Sequence, residues 1–329
     1  MKIFVTGATG FIGLNLTQKL AEMGHTVHAL CRTEEKAKLL KDPTIKVFYG
    51  HIMDKESLET GMTACDAVIH MAAFARVWSK SPGHFDRINI QGTLNVLETA
   101  RQCAVSRVLI TSTAGVFGPA VNDQPVVESG SRAVAYFNDY ERTKDIADQK
   151  SLTFNGDDLE VITVHPTRVF GPGLISESNA VTTMIKQYIS GKWHILPGNG
   201  KSVGNYVYVD DVVMGHILAL EKGKAGEQYL LGGVNVSYIE FFETLRGVSG
   251  KYFRLYKLPY PLMLWLSKIM LLLARVFGIP PLITPGFVRR YHYHWNNSSK
   301  KANDSLGYVS TPLDIAMEKT LEWIKKENG

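Results

Sequence analysis

The sequence predicts a doubly wound α/β fold: a parallel sheet covered by helices on both faces, with a smaller, partly discontinuous second domain. Three observations predict it. Short β-branched runs alternate with longer amphipathic segments through the first half of the chain, and a glycine-rich turn joins the first run to the first helical pattern. The 329 residues, 45% apolar and 20% charged, suffice for a large core and two lobes. Glycine and proline, 29 and 13 residues, are too few and too irregularly placed for a collagen-like or low-complexity chain.

The elements follow in order. Lys2 to Thr6, Thr26 to Cys31, Lys46 to Tyr49, Ala67 to His70 and Arg107 to Thr111 read as strands, with helical patterns in the intervals. Right-handed crossovers would lay these strands side by side in parallel. A sixth strand, Glu160 to His165, ends at Pro166, and the glycine-proline loop from Phe170 to Gly173 stops the alternation. A further strand, Asn205 to Val209, feeds a helix from Asp210 to Glu221, so the chain is expected to return to the first domain. The expected division is 1–165 plus about 205–230 for the first domain, and 166–204 plus 231–329 for the second.

The net charge is +5, from 36 basic and 31 acidic residues, too modest to indicate a nucleic-acid partner. Its distribution says more, because Arg246 to Lys301 holds ten Lys and Arg and no Asp or Glu. That stretch contains the apolar run Leu258 to Ala274, opened by Pro259 and Pro261 and interrupted by Lys268, which makes it a poor membrane span. The first expectation is a buried helix pair. The alternative is peripheral contact with an anionic membrane surface through the basic, apolar 246–301 region. Cys31, Cys65 and Cys103, three widely spaced cysteines, suggest neither a disulfide framework nor a zinc ribbon, and the N-terminus shows no secretory signal. A cytoplasmic location is expected. The histidines of Tyr291-His292-Tyr293-His294-Trp295 lack neighbouring carboxylates or thiols in sequence, so no metal site is expected there.

The chemistry begins at Gly7-Ala8-Thr9-Gly10-Phe11-Ile12-Gly13, between the first strand and first helix. A dinucleotide pyrophosphate placed there would meet backbone N–H groups and the positive end of the helix dipole. The glycines allow a tight turn, close approach of phosphate to backbone, and close packing of helix on strand. At the end of the second strand, Arg32 stands where NAD enzymes place a ribose-binding carboxylate. With Lys36, it would favour a 2′-phosphate, hence NADP(H) with NAD(H) open; a solvated surface arginine is the plainer reading. Tyr140 and Lys144 share one face of a helix, where the ammonium is expected to stabilise phenolate and lower the tyrosine pKa, making an acid–base pair. The hydroxyls of Ser112 and Thr113 follow the fifth strand and could reach the same substrate oxygen.

With these motifs in this order, the chain resembles the extended short-chain dehydrogenase/reductase family, the NAD-dependent epimerase/dehydratase superfamily. The resemblance extends to His70-Met71-Ala72-Ala73, Asn89-Ile90-Gln91-Gly92-Thr93, His165 to Pro172, and Tyr206 to Asp211. It implies a Rossmann fold and assigns Tyr140 as general acid/base, Lys144 to the nicotinamide ribose and to tuning Tyr140, and Thr113 to the reacting oxygen, with Ser112 as substitute. Asn89 would support the site, and Ala72, Ala73 and Pro166 would contact cofactor, as would Ile52. Trp78, Thr113, Thr167 and Arg168 are candidate substrate contacts. A homodimer through the helices carrying Asn89 to Arg101 and Tyr140 is implied as well.

Departures from the pattern narrow the reaction. Ala114 and Gly115 replace the Asp-Glu pair of sugar-nucleotide dehydratases, Gly204-Asn205 replaces the Arg-Asp of many nucleotide-sugar epimerases, and His51 stands in place of an adenine-binding Asp. What remains is similar to the dihydroflavonol reductase and 3β-hydroxysteroid dehydrogenase branch. The expected activity is NADPH-dependent reduction of a carbonyl, or the reverse oxidation, on a hydrophobic ring- or lipid-like substrate. An NAD-dependent sugar epimerase is the alternative, and a non-catalytic nucleotide-sensing protein is the second.

Overall fold

The computed structural model describes the chain apart from Pro82, Asp123 and Gly329, with only the backbone of Asn328. In chain order the first lobe runs β1 (Lys2–Thr6), α1 (Phe11–Glu22), β2 (Thr26–Cys31), α2 (Glu34–Ala37), β3 (Ile45–Tyr49), α3 (Lys55–Met62) and β4 (Ala67–His70). A six-residue π-helix, Asp86–Gln91, leads into α4 (Gly92–Gln102) and β5 (Arg107–Thr111). A 3-10 turn, Ala114–Phe117, precedes α5 (Asp139–Leu152) and β6 (Glu160–Pro166). Beyond it come β7 (Arg168–Phe170), α6 (Ala180–Ile189), β8 (Ile195–Pro197), β9 (Val203–Tyr208) and α7 (Val209–Lys222). The elements β10 (Gln228–Leu231), β11 (Val234–Ser237), α8 (Tyr238–Ser249), β12 (Tyr256–Leu258) and α9 (Tyr260–Phe277) precede a helical C-terminal region.

Seven strands form one parallel sheet in the order β10-β6-β5-β4-β1-β2-β3. All four residues of β4 are buried, as are the last five of β2, because helices cover both faces of such a sheet and leave no solvated side for polar alternation. Each enclosed Val, Ile or Leu contributes about 1.5–3 kcal/mol relative to exposure. The strand order reverses between β1 and β4, which places a ligand crevice at their C-terminal ends.

The second lobe holds two small sheets, β11-β9-β7 and β12-β8. Here the expected division shifts. β9 pairs with β7 and β11, so the segment that returns to the large sheet starts with α7 at Val209 rather than near 205. The seventh strand of the large sheet, β10, had no counterpart in the sequence reading, since Tyr-Leu-Leu is too short a run to separate from a buried helix turn.

The expected buried helix pair is also corrected. Residues 260–277 form one helix, α9, with only Met263, Ser267 and Ala274 buried. Pro261 sits in its first turn, where a missing N–H costs nothing, and Lys268 lies on its exposed surface. It is long and apolar enough to cross a membrane by length and composition, and the basic residues Lys257, Lys268 and Arg275 attend it.

Candidate active site

The glycine turn fits a dinucleotide. Gly7 takes φ +74°, and a Cβ there would lie 2.7 Å from the backbone N of Ala72. A Cβ on Gly13 would lie 2.0 Å from the carbonyl O of Gly7, so even alanine would force α1 off β1. Gly10 N–H donates to Gly7 O at 2.9 Å and caps α1 without a side chain in the way. Thr9 and Ile12 are half-buried beside this turn, Phe11 is buried under it, and Ala72 N–H, donating to Thr6 Oγ1 at 3.2 Å, ties the facing loop and its neighbour Ala73 to β1. The N–H groups at the start of α1 thus stand at the crevice, with Gly7, Gly10 and Gly13 keeping side chains out of the closest backbone approaches, the cradle a pyrophosphate requires.

Arg32 is exposed just past β2, and Thr33 caps α2, accepting from Lys36 N–H at 3.4 Å. His51 Nδ1 accepts from Met53 N–H at 3.1 Å, while Ile52, buried, uses its carbonyl to accept from Asn95 at 3.1 Å. Burial holds the His51 imidazole below its ordinary pKa, reinforced by the charges of Arg32 and Arg87. Arg87, on the π-helix, was missed from sequence because nothing in its neighbourhood marks it; in the fold its charge, like that of Arg32, acts on His51.

On α5, Asn138 caps the N-terminus, and Tyr140, Lys144 and Asp148 succeed one another at four-residue intervals. Asp148, also unforeseen, is buried and accepts a short hydrogen bond from Ser112 Oγ; its Oδ1 has no partner. His165 Nδ1 lies 3.8 Å from its other oxygen. Beyond Asp148 lies a cavity of about 300 Å³ lined also by Asp145, Gln149 and Gln228. Burial pushes the Asp148 carboxyl up to about 7, with Lys144 and Ser112 pulling the other way.

The expected tuning of Tyr140 is reversed. Burial pushes its phenol up to about 12 and the Asp148 carboxylate adds to that rise. Lys144 is itself held below its ordinary value by burial, with Asp148 opposing, so the ammonium faces a carboxylate on its own helix as well as the phenol. Ser112 turns to Asp148, whereas Thr113 accepts from Gly115 N–H at 3.2 Å. Asn89 reaches across: its amide donates to Thr143 Oγ1 at 3.0 Å and its carbonyl accepts from Phe74 N–H at 2.7 Å, joining α5 to the loop after β4.

Glu141, next to Tyr140, is buried and receives Arg132 at 2.7 Å and, by a short contact, Arg290 of the second lobe. Pro166 ends β6 in the core; Thr167 Oγ1 donates to Asn205 at 2.7 Å. Arg168 leads β7, and its Nη1 would lie 2.3 Å from a Cβ on Gly204. Trp78 is half-buried on the loop after β4, near the Arg76–Glu177 ion pair of 2.8 Å.

A glycine cradle at the switch point and a Tyr-x-x-x-Lys helix beside it define an NAD(P)-dependent dehydrogenase/reductase of the extended short-chain class. The sequence pattern of the NAD dependent epimerase/dehydratase family matches residues 3–232, and the chain belongs to that family. Sterol demethylase protein B of Methylococcus capsulatus is 28% identical over 338 residues, spanning 99% of each chain. The 4-hydroxy-2-methyl-3-oxo-4-farnesyl-3,4-dihydroquinoline-1-oxide ketoreductase of Stigmatella aurantiaca is 30% identical over 251 residues, 76% of this chain and 74% of its own. The crystal structure of Thermotoga maritima UDP-glucose 4-epimerase with UDP-glucose superposes with a TM-score of 0.83 at 25% identity, covering 100% of both chains. The relatives place this protein in the 3β-hydroxysteroid dehydrogenase-like branch, whose members are oxidoreductases.

Proposed function

We propose that this protein is an NADPH-dependent reductase of a carbonyl on a hydrophobic, ring- or lipid-like substrate. The observation that carries the reading is the combination of the glycine cradle with Tyr140 and Lys144 on one helix, together with Ala114 and Gly115 after Thr113, where a dehydratase needs acids. The nicotinamide supplies the hydride. Tyr140 donates its phenolic proton to the substrate oxygen, Thr113 orients that oxygen, and Lys144 holds ribose hydroxyls and stabilises the phenolate left behind. A phenol raised to about 12 is protonated at neutral pH, the state that reduction consumes. Arg32, with Arg87, reads the 2′-phosphate.

The outward apolar face of α9 and its flanking cations support peripheral docking on an anionic membrane surface from the cytoplasmic side, next to the source of such substrates. Pairing through α4 and α5 would make a homodimer. The ketoreductase relative, which acts on a farnesylated ring, supports the substrate class.

Release of bound nucleotide from purified protein, then titration of stripped protein with NADPH and NADH, tests the reading before any substrate is known. Tighter NADPH binding to protein isolated largely empty is expected, followed by NADPH oxidation with hydrophobic ketones. Retained NAD without NADPH preference would turn the assignment to the sugar epimerase, the reading favoured by the superposition on UDP-glucose 4-epimerase.

A further inference from the structure

Arg168 carries a charge that the protein does not itself neutralise. Its Nη1 donates to the phenol oxygens of Tyr206 and Tyr238, each at 3.1 Å, and the guanidinium carbon stands 5.4 and 5.5 Å from their ring centres. Among the described residues no carboxylate lies within ion-pair distance of it. Arg290, in the same neighbourhood, is different, because it spends its charge on Glu141. A guanidinium taken out of water is costly unless an opposite charge or full hydrogen bonding compensates, and rings and phenols compensate only in part.

The surroundings of Arg168 consist of donors. Tyr291 packs on Tyr238 with ring centres 5.8 Å apart, which brings a third phenol to the group. Tyr206 and Tyr238 accept from Arg168 through their oxygens, so that contact uses neither O–H hydrogen. Burial pushes the Tyr206 and Tyr291 phenols up, so they remain O–H donors. Of this group Tyr291 also lines a cavity of about 470 Å³, whose other lining residues include Lys201, Lys257, His292 and His294 and, among the described residues, no carboxylate. The place is close to the chemistry, since Arg290 both feels the charge of Arg168 and pairs with the residue next to Tyr140. Gly204 completes it: the missing side chain is what leaves room for the guanidinium.

We infer that Arg168, with Tyr206 and Tyr238, binds an anionic oxygen group on the substrate, a carboxylate or a phosphate. The inference rests on the reductase reading for the rest of the substrate: an apolar body carrying one acidic group. Planar guanidinium and phenol hydroxyls suit such an oxyanion, and a neutral ester of equal size would leave the charge uncompensated.

Calorimetric titration of the full chain saturated with NADPH, using decanoate against methyl decanoate, cholanoate against methyl cholanoate, and UDP, tests it. The expected result is binding of the acids on the order of tenfold tighter than their esters. That preference should fall to parity in Arg168→Met, persist in part in Arg168→Lys, and leave NADPH affinity unchanged. Equal binding of acid and ester by the unaltered protein would overturn the anion site while leaving the hydrophobic-substrate reading intact. UDP binding that is lost in Arg168→Met, with no binding of either hydrophobic acid, would sustain the anion site and overturn the hydrophobic reading. Acid preference undiminished in Arg168→Met would remove Arg168 from the role. Should Arg168→Met fail to bind NADPH, the acid–ester ratio in the unaltered protein and in Arg168→Lys decides.

Discussion

In the large sheet every residue of β4 is enclosed between helices, whereas α9 turns three of its eighteen residues inward and leaves Trp265, Leu272, Val276 and Phe277 58–68% exposed. Both segments are apolar, but only β4 owes its apolarity to the interior of this chain. On α9 the exposed residues Leu262, Trp265, Ile269, Leu272, Leu273 and Val276 recur at three- and four-residue steps, so they form one stripe directed away from the core. An apolar pattern therefore predicts burial only when the rest of the fold supplies the other surface.

The sharpest way to separate the two lobes is through the chemistry of the first. Tyr140→Phe should lower turnover about a thousandfold while NADPH binding is unchanged, measured by steady-state kinetics and nucleotide titration. Stability gives the next contrast. Ile69→Ala, inside β4, should cost about 2–5 kcal/mol in urea unfolding, whereas Leu272→Ala on α9 should change it by less than about 0.5 kcal/mol and weaken sedimentation with anionic vesicles. Equal losses of stability would break the comparison.

Acid should act on the first lobe. In the fold, burial drops His70 and His165 to about 3 and His216 to about 4, so the unfolded chain binds protons below about pH 6.5 that the native one refuses. Asp148 works against them: raised to about 7, it keeps a proton in the fold that the unfolded chain releases above its ordinary carboxylate pKa, and so favours the native state toward acid. Three histidines outweigh one carboxyl. Stability should fall as pH drops from 6.5 to 4, by about 3 kcal/mol per unit near pH 5, and Asp148→Asn should steepen the fall by about one proton. Denaturant melts at several pH values measure both slopes. A more modest effect is expected at the crevice edge, where Arg32→Ala should weaken NADPH about tenfold and leave NADH untouched in parallel titrations.

The first lobe was largely legible because period and punctuation coincide there: β1, β2, β4 and β5 lie at the positions their β-branched runs indicate. The glycine turn was legible because its residue types answer a steric demand that the structure displays at Gly7 and Gly13. Other features depend on distant partners. Asp148 gains its meaning from Ser112 and His165, and Arg87 from its approach to His51. The direction in which Ser112 points and the rise of the Tyr140 phenol both follow from burial that no motif encodes. α9 misled because its period was compatible with either a protein interior or an external surface.

The Glu141 contacts bear on how the molecule moves. Domains joined by ordinary interfaces swing on hinges, but here the residue after Tyr140 is a buried carboxylate clasped by Arg132 from its own lobe and Arg290 from the other. Rotating the lobes apart would strip that carboxylate of one of its two guanidinium partners and leave it with Arg132 alone. That contact favours traffic in and out of the crevice by rearrangement of side chains and loops at its rim, with the helix that carries the acid latched to the wall it faces.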